Sequence, residues 1–312
     1  MQKLIEDLKN KKPLALPKAI SLAENEPFKA AKLFEPIIKN RKEKIKIGFT
    51  GSPGAGKSTL IKSISNKILK EGYKIGIIAV DPSSPFSGGA LLGDRLRMNF
   101  KNFDPNKIYI RSLSSRGHLG GLSPNTVLCI KLLEYYDYDY ILVETVGVGQ
   151  DEIEIMFYVD IICLVLVAGL GDEIQAIKSG IMEIADIYIV NKCHREGTSK
   201  LIAELKNFIN FAPKFKEEGN WIPEIFPTEA IESEGIDKLW GRIKNLLKDD
   251  KFKQNLEKRK KLQIYNQAYH SIMQFFRNKT LEHLSRYRNQ IDINNQEEII
   301  NKIIHTIKKE DI

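Results

Sequence analysis

Short apolar runs recur along the chain from Ile45 onward, and stretches with helical periodicity separate most of them. Strands that alternate with helices of roughly 10–15 residues indicate an α/β fold with a mostly parallel sheet and helices on both faces. Runs 75–80 and 161–167 are apolar at nearly every position, as expected of strands covered on both faces. The seven predicted strands are 45–50, 75–80, 108–112, 139–144, 161–167, 186–190 and 222–227.

A polar, helical stretch precedes this α/β region. Residues 1–44 carry scattered apolar positions, and four prolines predict that the stretch is divided into short helices. We expect a small N-terminal helical segment laid against a main domain of residues 45–248. The four prolines are Pro13, Pro17, Pro27 and Pro36.

A second helical stretch, residues 249–312, follows the α/β region. Its apolar residues recur every three or four positions, which predicts two amphipathic helices with a polar break near 289–296. The apolar stripe packs either on the main domain or on a second subunit. It consists of Leu262, Tyr265, Tyr269, Ile272 and Phe276, then Ile300, Ile303 or Ile304, and Ile307.

A glycine-rich stretch lies between the first predicted strand and the helix that follows it. It matches the phosphate-binding P-loop pattern G-x-x-x-x-G-K-[ST] in the strand–loop–helix setting that the pattern requires. Glycines let several backbone N–H groups point at one anion, and the helix N-terminus adds its positive dipole end. The chain is therefore predicted to bind a nucleotide through Gly51, Ser52, Pro53, Gly54, Ala55, Gly56, Lys57, Ser58 and Thr59.

Carboxylates follow other strands at the same predicted edge of the sheet. Mg²⁺ prefers hard oxygen ligands, so we expect Ser58 and the carboxylates of Asp81, Asp94 and Glu144 to hold it. Asp81 and Asp94 are also suited to capping a turn or a helix. Either Glu144 or Gln150 would arrange the attacking water in hydrolysis of a nucleoside triphosphate. The predicted catalytic residues are Lys57, Asp94, Glu144 and Gln150.

Residues after the sixth and seventh predicted strands are candidates for contacting the base. Asn191-Lys192-Cys193-His194 stands where G domains carry Asn-Lys-x-Asp, in which the carboxylate pairs with guanine. After the next strand, a backbone N–H of Thr228, Glu229 or Ala230 would face guanine O6. A further loop, 169–180, is interpreted either as a capped helix or as a mobile functional segment.

Composition and charge narrow the class of protein. Apolar residues make up 42% and charged residues 28% of the 312 residues, values typical of a globular domain. The net charge of +8 divides into +6 over 1–46, −3 over 47–247 and +5 over 248–312, and no nucleic-acid-reading motif accompanies the basic ends. The longest apolar run, 161–170, is too short to span a bilayer. The three cysteines lack zinc or disulfide spacing, so we expect incidental thiols in a cytoplasmic protein.

With these residues together, the chain resembles the MeaB/ArgK-type GTPases, metallochaperones associated with adenosylcobalamin-dependent methylmalonyl-CoA mutase. The resemblance spans about residues 40–245 and rests on motif strings rather than on fold. The strings are Gly51–Ser58, Val80-Asp-Pro-Ser-Ser84, Gly89-Ala-Leu-Leu-Gly-Asp94, Leu119-Gly-Gly121, Val143-Glu-Thr-Val-Gly-Val-Gly-Gln150, Gly171-Asp-Glu-Ile-Gln175 with Lys178, and Asn191-Lys192.

The resemblance implies a set of functional expectations. Loops 81–97 and 144–155 become switches, and loop 169–180 becomes an additional switch that communicates the nucleotide state to the mutase. The residues implied there are Asp172, Glu173, Gln175 and Lys178. The implied cofactors are Mg²⁺ and GTP or GDP, and the implied assembly is a homodimer through the C-terminal arm. The implied function is GTP-dependent gating of adenosylcobalamin delivery to a methylmalonyl-CoA-type mutase, together with protection of that enzyme.

One position departs from the family pattern. His194 stands in place of the guanine-binding carboxylate, and a neutral imidazole offers only one acceptor. Guanine selectivity is therefore less secure than nucleotide binding, and Glu196 is a candidate substitute acceptor. Two other functions stay open from the sequence: a P-loop small-molecule kinase, and a nucleotide-gated binding module that scarcely hydrolyses. A nickel-inserting GTPase is disfavoured because no His and Cys clusters stand out in the sequence.

Overall fold

Seven strands form a single sheet in which every neighbouring pair is parallel. The computed structural model describes residues 1–81, 100, 104–114, 124–145, 151–169, 180–287 and 296–310. The strand order is β3-β2-β4-β1-β5-β6-β7. All seven predicted strands are confirmed, each within two residues of its expected bounds. They are β1 (Ile45–Thr50), β2 (Ile75–Asp81), β3 (Ile108–Ser114), β4 (Tyr140–Glu144), β5 (Ile161–Leu166), β6 (Ile187–Asn191) and β7 (Glu224–Thr228).

Helices connect the strands and extend the chain at both ends. Over the described part of the chain they are α1 (Gln2–Lys9), α2 (Ala15–Asn25), α3 (Pro27–Ile38), α4 (Lys57–Lys70), α5 (Pro124–Tyr135), α6 (Asp151–Glu154), α7 (Ile181–Ile184), α8 (Thr198–Phe211), α9 (Pro213–Lys216), α10 (Ile236–Leu246), α11 (Asp250–Arg286) and α12 (Gln296–Glu310). Two short 3-10 turns, Pro105–Lys107 and Ile155–Phe157, complete them. None of the helices in the described ranges has both the length and the apolarity needed to cross a bilayer.

Each strand sends alternate side chains to opposite faces of the sheet, and both faces are buried. Side chains such as Ile78 and Val143 join one core with helices α2, α3 and α5. Side chains such as Phe49 and Leu142 join a second core with α4 and α10. The near-continuous apolar runs in the sequence are thus explained by a sheet covered on both sides.

The N-terminal segment packs on the main domain, as its apolar positions predict. Phe34 of α3 is fully buried in the same core as α5, and Arg41 Nε donates to Glu134 Oε2 at 2.7 Å. The prolines divide it less than expected: Pro17 lies within α2 and Pro36 within α3. Pro17 is tolerated because the first turn of a helix has no intrahelical partner for its N–H groups.

The first part of α11 is anchored to the sheet. The Phe252 ring packs edge-on against the Trp221 ring, with centroids 5.2 Å apart. Arg259 donates to both carboxylate oxygens of Asp186, from Nη1 at 3.0 Å and from Nη2 at 2.9 Å. The chain accordingly divides into one compact unit of Met1–Lys261 and a second of Leu262–Ile312.

The second unit consists of the remainder of α11 and of α12. The predicted stripe on α11 is exposed, from 44% at Phe276 to 74% at Tyr265. On α12 the inward positions are Ile299 and Ile303, whereas Ile300, which the periodicity placed in the stripe, is 48% exposed. Ile300 therefore shares the exposed character of the stripe on α11, and the surface on which this stripe packs stays a prediction.

Candidate functional site

The loop between β1 and α4 has a backbone that only glycine adopts readily. Gly51, Gly54 and Gly56 have φ values of 131°, 80° and 89°. A Cβ at Gly51 would lie 2.1 Å from the backbone oxygen of Val165, so the loop also approaches β5 too closely for a side chain. The predicted P-loop geometry is thus present in the backbone, and α4 begins at Lys57 directly behind it.

Lys57 places a buried positive charge inside this loop. Its side chain is 6% exposed, and Nζ donates to the backbone oxygens of Gly51 at 2.6 Å and Ser52 at 3.1 Å. The N-terminal end of α4, a helix of 14 residues, adds the positive end of its dipole. A cation and a helix N-terminus at the same point make a site for phosphate groups. Thr59, also expected to contact the nucleotide, is exposed in the first turn of α4.

Ser58 and Glu144 meet as the sequence predicts. Ser58 Oγ donates to Glu144 Oε1 at 2.6 Å, and Glu144 is 5% exposed. Pairing of β1 with β4 brings them together, since Glu144 is the last residue of β4 and lies opposite Phe49. The next residue, Thr145, is fixed by a hydrogen bond from Oγ1 to Thr50 Oγ1 at 3.0 Å. A hydroxyl and a carboxylate are hard oxygen ligands, so this pair fits Mg²⁺ beside bound phosphates.

The structure describes only part of the remaining predicted metal-binding and catalytic residues. The backbone of Asp81 ends β2 at the same edge of the sheet as Glu144, since β2 pairs with β4. The side chain of Asp81 lies outside the described residues. So do Asp94, Gln150, Asp172, Glu173, Gln175 and Lys178.

The Asn191 side chain, at the end of β6, links the P-loop to the residues that follow β7, at the predicted base-binding end of the site. Its side chain is 1% exposed, and Nδ2 donates to the backbone oxygen of Ala55 at 2.9 Å. Its Oδ1 accepts from Thr228 Oγ1 and from the Ala230 N–H, both at 3.2 Å. The Ala230 N–H expected to be available for a base therefore bonds to Asn191. Glycine is required at position 56 for the same reason, because a Cβ there would lie 2.5 Å from Asn191 Nδ2.

The two residues flanking Cys193 extend this arrangement to the surface. Lys192, at φ 54°, donates from Nζ to the backbone oxygen of Gly54 at 2.9 Å. His194 Nε2 lies 2.7 Å from Glu234 Oε2, and the hydrogen bond to this carboxylate raises the pKa of His194. Both side chains are exposed.

Glu234 is the residue that sequence reasoning missed. Glu196, the candidate substitute for the missing guanine-binding carboxylate, lies in the same loop as His194 and is exposed. The carboxylate on His194 instead comes from the loop after β7, where Glu229 and Glu234 exchange backbone hydrogen bonds of 3.1 Å. Glu234 lies 40 positions from His194 in sequence. No local signal marks it, and the adjacency of β6 and β7 is what brings the two loops together.

Comparison with known proteins agrees with this geometry. The family model of the methylmalonyl-CoA mutase-associated GTPase MeaB matches residues 16–285. The "Putative GTPase PH0274" of Pyrococcus horikoshii is 45% identical over 78% of this chain and 77% of its own length. GTPase ArgK of Escherichia coli is 38% identical over 69% of this chain and 65% of its own length.

A solved structure shows the same fold. The crystal structure of LAO/AO transport system kinase aligns with a TM-score of 0.66 over 98% of this chain and 97% of that chain, at 24% identity. At this identity the alignment shows the fold alone. The family match over most of its length, together with the relatives above, establishes that this chain is a GTPase and belongs to the MeaB family of methylmalonyl-CoA mutase-associated GTPases.

Proposed function

We propose that the chain uses GTP binding and hydrolysis to gate delivery of adenosylcobalamin to a methylmalonyl-CoA-type mutase, and to protect that enzyme. The observation that carries the hydrolytic part is the contact of Ser58 Oγ with Glu144 Oε1 at 2.6 Å, at the residue that follows the buried Lys57. The family description, which names mutase association, supports the partner.

Each residue of the proposed site has a separate role in nucleotide binding or hydrolysis. Backbone N–H groups of Gly51–Ser58 and the Lys57 ammonium bind the β- and γ-phosphates. Ser58 and Glu144 hold Mg²⁺, with Asp81 and Asp94 as further oxygen donors; the bound ion neutralises charge that develops on the phosphoryl group. Glu144, already fixed by Ser58, or Gln150 arranges the attacking water.

The nucleotide state reaches the partner through the loops that flank the phosphates. Segments 81–97, 144–155 and 169–180 begin at or just after the ends of β2, β4 and β5, at the same side of the sheet as the P-loop, and are proposed to respond to loss of the γ-phosphate. Lys178, with Asp172, Glu173 and Gln175, is proposed to contact the mutase.

The C-terminal unit is proposed to form a homodimer. Five large apolar side chains on one helix, Leu262, Tyr265, Tyr269, Ile272 and Phe276, are each 44–74% exposed. Monomeric proteins rarely leave a contiguous stripe of this kind in water. Pairing with a second copy buries it, and light scattering should report twice the mass of one chain. A double substitution Tyr269→Glu/Ile272→Glu should give the mass of one chain.

Hydrolysis of GTP and of ATP, with and without an adenosylcobalamin-dependent mutase, tests the proposal. We expect Mg²⁺-dependent phosphate release from GTP that changes when the mutase is added, and cofactor transfer to the mutase only with a hydrolysable nucleotide. A phosphorylated small molecule as product would indicate a kinase instead. Tight GTP binding with no phosphate release, with the mutase present, would indicate a binding module.

A further inference from the structure

The loops that follow β6 and β7 bring a thiol, an imidazole and a carboxylate to one point. Cys193 Sγ, a ring nitrogen of His194 and a carboxylate oxygen of Glu234 all lie within 4.8 Å of one another. The hydrolytic chemistry assigned above to the P-loop and Glu144 uses none of these three groups. A shared surface hydrogen bond accounts for His194 and Glu234, but it does not account for the thiol beside them.

The backbone fixes the positions from which these side chains project. The Cys193 N–H donates to the Thr228 oxygen at 3.1 Å, which ties the first loop to the end of β7. Glu234 is held by its pair of backbone hydrogen bonds with Glu229, and Gly235 follows at φ 74°. A Cβ at Gly235 would lie 2.4 Å from the Pro227 oxygen, so the turn that presents Glu234 requires glycine at this position.

The charges around the cluster favour a cation. Burial and the carboxylates of Glu234, Glu229 and Glu232 raise the pKa of the Cys193 thiol. The hydrogen bond that His194 donates to the Glu234 carboxylate raises the pKa of His194, with smaller contributions from the charges of Glu232 and Glu229. The carboxylates of Glu229, Glu232 and Glu234 therefore create a negative potential at the cluster, which favours a divalent cation.

We propose that Cys193, His194 and Glu234 form a binding site for a zinc-class divalent metal ion. Sulfur, imidazole nitrogen and carboxylate oxygen are ligands typical of Zn²⁺ and of Co²⁺, whereas Mg²⁺ prefers oxygen alone. Ligand bonds of about 2.0–2.3 Å require a small rearrangement of the three groups. The 2.7 Å hydrogen bond between His194 and Glu234 would open to admit the ion. The remaining coordination position is left to water, since these side chains are partly or fully exposed. The ion bridges the two loops that flank Asn191.

Cobalt is the appropriate probe because its spectrum identifies its ligands. Titrating Co²⁺ into the reduced, nucleotide-free full chain should give a thiolate-to-cobalt band in the near ultraviolet, with one equivalent bound, and Zn²⁺ should displace it. The Ser58–Glu144 pair has only oxygen donors and gives no such band. Cys129 and Cys163 are 1% and 0% exposed, so a thiolate band reports Cys193.

Variants assign the band to the cluster. Cys193→Ser should abolish it, and His194→Gln and Glu234→Gln should each weaken Co²⁺ binding by tenfold or more. Glu232→Gln is the matched control: it removes a nearby charge but no ligand, and should retain the band. Zn²⁺ should raise the melting temperature of the wild type but not of Cys193→Ser.

Two outcomes would overturn the proposal. One is a wild-type spectrum without a thiolate band at millimolar Co²⁺. The other is a band that persists in Cys193→Ser. Circular dichroism of each variant establishes that it is folded, and His194→Gln, at an exposed side chain, provides the assignment if Cys193→Ser does not fold.

Discussion

Replacing Asn191 by alanine removes the side chain that joins the P-loop to the loops after β6 and β7. Three hydrogen bonds disappear: one to the Ala55 oxygen at 2.9 Å, and two from Thr228 Oγ1 and the Ala230 N–H at 3.2 Å. At about 1 kcal/mol each, the free energy of unfolding should fall by about 3 kcal/mol. The side chain is 1% exposed, so water cannot readily replace the lost partners.

Denaturant unfolding followed by tryptophan fluorescence measures this loss directly. Both tryptophans, Trp221 and Trp240, are buried in the unit that contains Asn191, so the signal reports that unit. Asn245→Ala is the matched control, since that exposed amide makes a single hydrogen bond to the Gly241 oxygen at 3.0 Å. It should change the unfolding free energy by no more than about 0.5 kcal/mol.

A second substitution separates the donor from the acceptor. Asn191→Asp keeps the acceptor for Thr228 and Ala230 but turns a carboxylate oxygen towards the Ala55 oxygen. Its deficit relative to wild type should shrink as the pH falls, because a protonated carboxyl donates to that oxygen again. The reasoning is refuted if Asn191→Ala costs no more than Asn245→Ala, or if the Asn191→Asp deficit is independent of pH.

Three further variants or reagents test separate parts of the structure. Gly51→Ala should lower the unfolding free energy by at least about 2 kcal/mol more than Gly72→Ala does. Both glycines have a positive φ, but only at Gly51 would the added Cβ lie 2.1 Å from a backbone oxygen. Equal losses in the two variants would contradict this close approach. Arg259→Ala should lower the unfolding free energy by about 3–5 kcal/mol, because Asp186 would stay buried without its cation. The matched variant Lys258→Ala, at an exposed position of the same helix, should change it very little. Similar losses in the two variants would show that the Arg259–Asp186 pair does not anchor α11. A thiol reagent should modify Cys193 rapidly in the folded protein, because it is partly exposed, whereas Cys129 and Cys163 are buried and should react only after unfolding. Rapid reaction of two cysteines in the folded protein would show that Cys129 or Cys163 is not protected.

The sheet and the P-loop could be predicted from the sequence, because residues that are adjacent in the chain encode each of them. Most strands are short runs rich in apolar residues, and the P-loop is a contiguous string whose glycines have the backbone angles that the motif requires. The contact of Ser58 with Glu144 was also predictable, since both follow parallel strands and such ends meet at one edge.

Contacts between loops distant in sequence could not be predicted in the same way. Glu234 reaches His194 only because β7 lies beside β6, and no periodicity encodes that neighbourhood. For the same reason, Asn191 could be predicted as a base-binding residue but not as a brace to Ala55 and Ala230. The pattern on α12 also left open which apolar residues are buried within the chain: Ile299 and Ile303 are buried, whereas Ile300 is exposed.

The rate of phosphate release from GTP as a function of Mg²⁺, compared between wild type and Glu144→Gln, tests the central claim most directly. The site assigned here predicts that hydrolysis requires Mg²⁺ and that Glu144→Gln slows it by about 10–100-fold at a given Mg²⁺ concentration. The matched exposed variant Glu218→Gln should keep the wild-type rate. Hydrolysis that proceeds without Mg²⁺, or an unchanged rate in Glu144→Gln, would contradict the assignment of Ser58 and Glu144 as the catalytic metal site.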